Sequence, residues 1–100
     1  MIVVTSTFRA KPGMRDKIIE LAPPVLEATR KEEGCIRYEL LMSVEDDVTL
    51  QFVEEWADIE KLRVHLKTPH LAAFKKARES FVATEGAILK IFEAQEVKLN

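Results

Sequence analysis

The chain opens on a period of two. Ile2, Val4 and Phe8 fall on one side of the stretch Ile2 to Ala10, the spacing of a strand, and its β-branched and aromatic residues agree. Lys11-Pro12-Gly13 stops it. From Arg15 to Glu33 the apolar spacing becomes helical, with Ile18, Ala22, Val25 and Leu26 as the stripe. Pro23-Pro24 lies inside this run. Proline there removes backbone donors and clashes with the preceding turn, which predicts a kink or a split helix. Gly34 is expected to cap its C-terminus.

Alternation returns at Cys35 to Ser43, which places Ile36, Tyr38, Leu40 and Met42 on one face of a second strand. Glu45-Asp46-Asp47 is a polar turn, and Val48 to Trp56 reads as the returning strand of a hairpin. Asp58 is a natural N-cap for a short helix carrying Ile59, Leu62 and Leu66. Thr68-Pro69 interrupts it, with Thr68 as the expected cap and Pro69 at the first helical position. A further helical segment, His70 to about Thr84, carries Leu71, Phe74, Ala77 and Phe81. Ala87 to Leu99 reads as a long final strand.

The order β-α-β-β-α-β predicts an α+β, ferredoxin-like fold, with a four-stranded antiparallel sheet and helices on one face. Residues 1–100 are expected to form a single domain. The uncovered face would carry Val3, Thr5, Leu89, Ile91 or their alternates. A half-apolar bare sheet tends to find a partner, so a homodimer packed face to face is expected, with the long last strand reaching across.

Composition narrows the function classes. At 47% apolar residues the chain is an ordinary globular one. A net charge of −2, with no basic stripe interleaved with aromatics, argues against nucleic-acid partners. No apolar run approaches a membrane span, and no secretory pattern opens the chain. Cys35 is the one cysteine, which fits a reducing compartment, so a cytoplasmic location is expected. No phosphate loop, nucleophile elbow or metal-spaced Cys/His cluster is present, so no cofactor and no metal are expected.

The candidates for chemistry are few. His65 and His70 are the two groups that titrate near neutral pH, and they flank the Thr68-Pro69 break. Each has a structural reading, as a helix-end or packing residue, beside a functional one as a pocket base. Trp56 reads as a core anchor or as an aromatic wall for a planar ligand. Tyr38 has the same two readings, with a hydroxyl able to hold a substrate oxygen. Glu54 shares a strand face with Phe52 and Trp56, so its carboxylate needs a partner or a pocket mouth. Cys35 reads as structural.

Taken in order, Glu33-Gly34-Cys35, Tyr38, Glu54-x-Trp56, His65, Thr68-Pro69-His70 and Phe74 resemble the antibiotic biosynthesis monooxygenase family. The run "HLKTPH" is similar to that of the small bacterial quinol monooxygenases. The resemblance implies a dimeric α+β barrel with a pocket between sheet and helices. It implies an enzyme that oxidises a quinol or polycyclic phenol with O2 to a quinone, using neither metal nor flavin. In that reading His65 is the catalytic base, while His70, Tyr38, Trp56 and Phe74 bind a small aromatic substrate. The residue set of the haem-degrading branch is missing at Thr5, His65 and Lys75. Two alternatives stay open. One is a non-oxidative isomerase of a small signalling carbonyl compound, like the autoinducer-2-processing branch. The other is a non-catalytic ligand-binding dimer.

Overall fold

A computed structural model describes residues 1–100. The elements run β1 (Ile2–Arg9), α1 (Arg15–Leu21), α2 (Pro23–Arg30), β2 (Cys35–Met42), β3 (Thr49–Trp56), α3 (Ile59–His65), α4 (Pro69–Arg78) and β4 (Ile88–Glu93). A short 3-10 turn, Glu79–Phe81, follows α4. The sheet order is β2-β3-β1-β4 and every neighbouring pair is antiparallel. This is the expected ferredoxin-like α+β arrangement, with the helices on one face.

The predicted break in the first helix is a full split. Ala22 ends α1 by donating to the Ile19 carbonyl and starts α2 by accepting from Leu26. Pro23 then takes the first position of α2, where no N–H is needed. Residues Ile18, Ala22, Val25 and Thr29 form the buried stripe across both halves. The helix stops at Arg30, earlier than expected. Gly34 is therefore the corner into β2 rather than the cap itself, with φ +84°. The aliphatic stem of Lys61 packs where a Cβ would stand, so this corner needs glycine for both its backbone angle and its empty side.

On β3 the alternation is regular: Leu50, Phe52, Glu54 and Trp56 face the helices. On β2 it is not. The register slips between Cys35 and Arg37, a bulge that sends Ile36 out to solvent while Tyr38 stays buried. Met42 is also exposed, so only Tyr38 and Leu40 keep the expected face. In α3 the inner positions are Leu62 and His65, with Ile59 and Leu66 left exposed. His65 is thus a buried position of α3 in its own right.

The final strand is shorter than its sequence suggests. It pairs with β1 from Thr7↔Ile88 to Ile2↔Glu93, and Ala94 makes the last bond, to the Met1 carbonyl. Beyond that β1 offers no further partner, so residues 95–100 are not strand. The register also assigns the faces. Leu89 and Ile91 stand with Ser6 and Val4 on the helix side, while Ile88 and Phe92 stand with Thr7 and Val3 on the open face. The expected open-face pair Leu89 and Ile91 is thereby replaced by its alternates.

Candidate functional site

The buried chemistry gathers where the α2–β2 turn meets the α3–α4 break. Glu32 sits in that turn, held at both ends. Its N–H donates to the Thr29 carbonyl and its own carbonyl accepts from Cys35. Its Oε2 accepts from His65 Nδ1 at 2.7 Å and from His70 Nε2 at 2.8 Å. One carboxylate oxygen therefore joins two imidazoles whose ring centres lie 6.3 Å apart.

The break between α3 and α4 makes this possible. Asp58 starts α3 by accepting from the Lys61 N–H at 3.0 Å, and His65 closes it. Thr68 does not cap α4 with its side chain. Its hydroxyl donates back to the His65 carbonyl at 2.8 Å, which satisfies a C-terminal carbonyl of α3. Pro69 then restarts the helix on a new axis, and His70 in its first turn comes round to Glu32.

A carboxylate only accepts hydrogen bonds, so each histidine presents an N–H to Glu32. His65 is then the Nδ1–H tautomer, and its Nε2 carries the free lone pair. That nitrogen points toward Glu54, whose Oε1 lies 3.9 Å away. The gap is too long for a direct hydrogen bond. Glu54 Oε1 instead accepts from Trp56 Nε1 at 3.0 Å. Burial, set against the Trp56 hydrogen bond and His65, holds the Glu54 carboxyl above its ordinary range.

His65 is 1% exposed and Trp56 0%. The Trp56 ring stacks obliquely on the imidazole at 4.7 Å, and Tyr38 meets it edge-on at 5.3 Å. Burial first, then the nearby Glu54 carboxylate, pushes the Tyr38 phenol up. Tyr38 is therefore a hydrogen-bond donor at neutral pH and not a base. Burial, then Glu32 and Glu54, likewise pushes the Cys35 thiol up. A protonated thiol is a poor nucleophile, which agrees with the structural reading of Cys35.

His65, Tyr38 and Glu54 border a cavity of about 90 Å³ between the sheet and α3–α4. Phe52 and Phe74 supply aromatic wall, while Leu89 and Ile91 of β4 supply the far side. Of the residues singled out in the sequence, His65, Tyr38 and Phe74 meet at this cavity. Trp56 lies behind His65 in the core, and His70 lies on the outer side of Glu32, a quarter exposed; neither borders the cavity. Glu32 was not singled out, because it lies in the charged run Arg30-Lys31-Glu32-Glu33, which reads as a solvated helix end. The nearby capping of both histidines by one acceptor has no local sequence signal, since the partners are 33 and 38 residues apart.

Glu32, His65 and His70 are also the one set with metal-ligand geometry, their ligand atoms lying within 4.8 Å of one another. A cation there would replace the two shared protons, since it would use the same nitrogens. The hydrogen-bonded and metal-bound forms of this cluster exclude each other.

Comparison with known proteins agrees with the fold. The family model described as "Antibiotic biosynthesis monooxygenase" matches residues 1–77. The protein sll1783 of Synechocystis is 29% identical over 97 residues, and the chain spans 65% of that relative's length. A protein of Escherichia coli named "Probable quinol monooxygenase YgiN" is 29% identical over 87 residues, covering 77% of this chain and 84% of its own. A crystal structure from Deinococcus radiodurans superposes with a TM-score of 0.87 at 21% identity, over 100% of this chain and 98% of that one. At that identity the likeness speaks for the fold.

Two outcomes test the site's electrostatics. Glu32→Ala leaves two imidazole N–H groups without their acceptor, and unfolding in urea is expected to come about 1–3 kcal/mol easier. An unchanged midpoint would dissolve the shared-acceptor arrangement. For Glu54 the folded-state pKa lies above the unfolded one, so the folded protein holds more protons and stability falls as pH rises through that interval. Glu54→Gln keeps an acceptor for Trp56 and removes this dependence. The variant should gain on wild type at pH 7, with the gain shrinking toward pH 4; a gain that grows on acidification has the opposite sign and refutes the assignment.

Proposed function

The chain belongs to the antibiotic biosynthesis monooxygenase family, and from that premise we propose that it oxidises a quinol or polycyclic phenol with O2. The observation that carries the reading is the orientation of His65. Its Nδ1 is tied to Glu32, and its basic Nε2 turns toward a cavity walled by phenylalanines.

In this reaction His65 Nε2 takes the hydroxyl proton of the bound aromatic. The Tyr38 hydroxyl, kept protonated by burial, donates to the developing oxyanion. The electron-rich anion passes one electron to O2. After spin inversion the two radicals join at a ring carbon, forming a C–O bond. The O–O bond then breaks as the same carbon loses its hydrogen: one oxygen stays on the ring as a new carbonyl, and the other leaves as water, carrying that hydrogen as a proton and the proton held by His65. A naphthol with O2 thus gives a naphthoquinone and one water. Trp56 and Glu32 hold the imidazole in place, His70 holds Glu32, and Phe52 and Phe74 keep water from the anion. The substrate, O2 and these side chains account for every atom and electron.

The reading extends to assembly and location. Ile88 and Phe92 leave apolar surface on the open sheet face beside Val3, and a second copy packed on that face would cover it. A single cysteine held as a thiol suits the cytoplasm. No helix is long and apolar enough to cross a membrane.

Oxygen uptake by metal-stripped protein with a reduced naphthoquinol tests the chemistry. Protein-dependent uptake that yields a ring-hydroxylated quinone and water, without hydrogen peroxide, is expected, since simple autoxidation would give the parent quinone and peroxide instead. His65→Ala should lower the rate about 10²–10⁴-fold while remaining folded. An unaltered rate in that variant removes His65 from the mechanism. Absence of uptake by wild type favours the proton-shuttling isomerase, which the facing pair His65 and Glu54 would also serve. Light scattering at micromolar concentration should return twice the chain's 11.4 kDa; a monomer there overturns the face-to-face pair.

A further inference from the structure

The cavity carries a charge that the reaction above does not use. Arg78, in the last turn of α4, lines it together with Lys75 one helical turn earlier. The guanidinium is half-buried. Its Cζ lies 4.5 Å over the Phe8 ring and 5.1 Å from the centre of Phe74. It forms an ion pair with no carboxylate of the chain and no side-chain hydrogen bond.

Basic residues at a helix C-terminus often answer the helix dipole. That accounts for the exposed Lys76. It does not account for a guanidinium drawn inward between two phenylalanines, where desolvation opposes the charge. Stacking satisfies the flat faces of the group. Its five N–H donors lie around the edge, where a carboxylate would meet two of them in parallel. The setting is also local: the chain as a whole is net negative, yet this end of the cavity is lined by two cations and only Glu54 opposes them.

We propose that Arg78 binds a carboxylate on the substrate, so that the cavity takes a hydroxylated aromatic acid rather than a neutral quinol. This rests on the cavity being the substrate site. The acid anchors one end of the ring system at Arg78, and the hydroxyl at the other end reaches His65. Tyr38 lies between them, against His65 on one side and within the field of Arg78 on the other. Lys75, at the exposed rim, adds charge without a fixed direction.

Calorimetry under anaerobic conditions separates the parts. The probes are 6-hydroxy-2-naphthoate and 2-naphthol, which share a ring system and differ by the carboxylate at the end opposite the hydroxyl. Wild type is expected to bind the naphthoate at least about ten-fold more tightly, the size of one good charge-assisted contact. Arg78→Met should erase that preference and leave naphthol binding in place. Arg78→Lys keeps a stem on the two rings and should retain only part of the preference, which guards against misfolding as the cause. Equal binding of both probes to wild type, or a preference that survives in Arg78→Met, overturns the assignment. Either result with oxygen uptake intact sinks Arg78 alone. Failure of both probes to bind, with no oxygen uptake, sinks the cavity reading and this assignment with it.

Discussion

One oxygen atom organises the site. Glu32 Oε2 accepts from two histidines on two different helices, and most of the local architecture follows from satisfying it. A hydrogen bond involving a charged partner contributes roughly 1.5–3 kcal/mol, and more is lost when a buried partner is left alone. The acceptor must therefore be delivered to a fixed place. The α2–β2 turn does this by ending the helix at Arg30 and turning the corner at Gly34, under the stem of Lys61. The donors must be delivered too. A continuous helix would set residues five apart on divergent faces, and the Thr68-Pro69 break lets His65 and His70 converge. The result is an imidazole with a defined tautomer, backed by Trp56 and edged by Tyr38, whose free nitrogen looks into the cavity.

Much of the fold was legible because alternation and helical spacing are local. The hairpin, the proline split and the capped start of α3 depend on neighbours in sequence, and the structure has them where the spacing puts them. The misses have long-range causes. Ile36 leaves the buried face because the β2–β3 register slips once, and no pattern of residue types marks where a bulge will form. The last strand stops at Glu93 because β1 begins at Ile2; the apolar residues Val97 and Leu99 extend the pattern but not the pairing.

The site was legible in part for the same reason. Histidines, a tryptophan and a tyrosine are rare enough in this chain to attract notice, and His65, Tyr38 and Phe74 do meet at one cavity. Which of the aromatic residues face inward toward space and which pack behind is decided by three dimensions, so Trp56 lies behind the imidazole and His70 outside Glu32. Glu32 and Arg78 were hidden for a different reason. Each sits in a run of charges at a helix end, where a solvated role is the ordinary one, and only the tertiary fold draws these two inward.

The sheet order also sets a schedule. The cavity is walled by β1 and by Leu89 and Ile91 of β4, which comes after the helices in chain order. Until β4 arrives, β1 offers an unpaired edge, and such edges invite wrong partners during folding. The two helices carrying His65, His70 and Arg78 emerge before the wall that encloses them. A chain lacking β4 would hold the His65 side of the cavity beside open water, and the cavity gains its far wall only when β1 and β4 have paired.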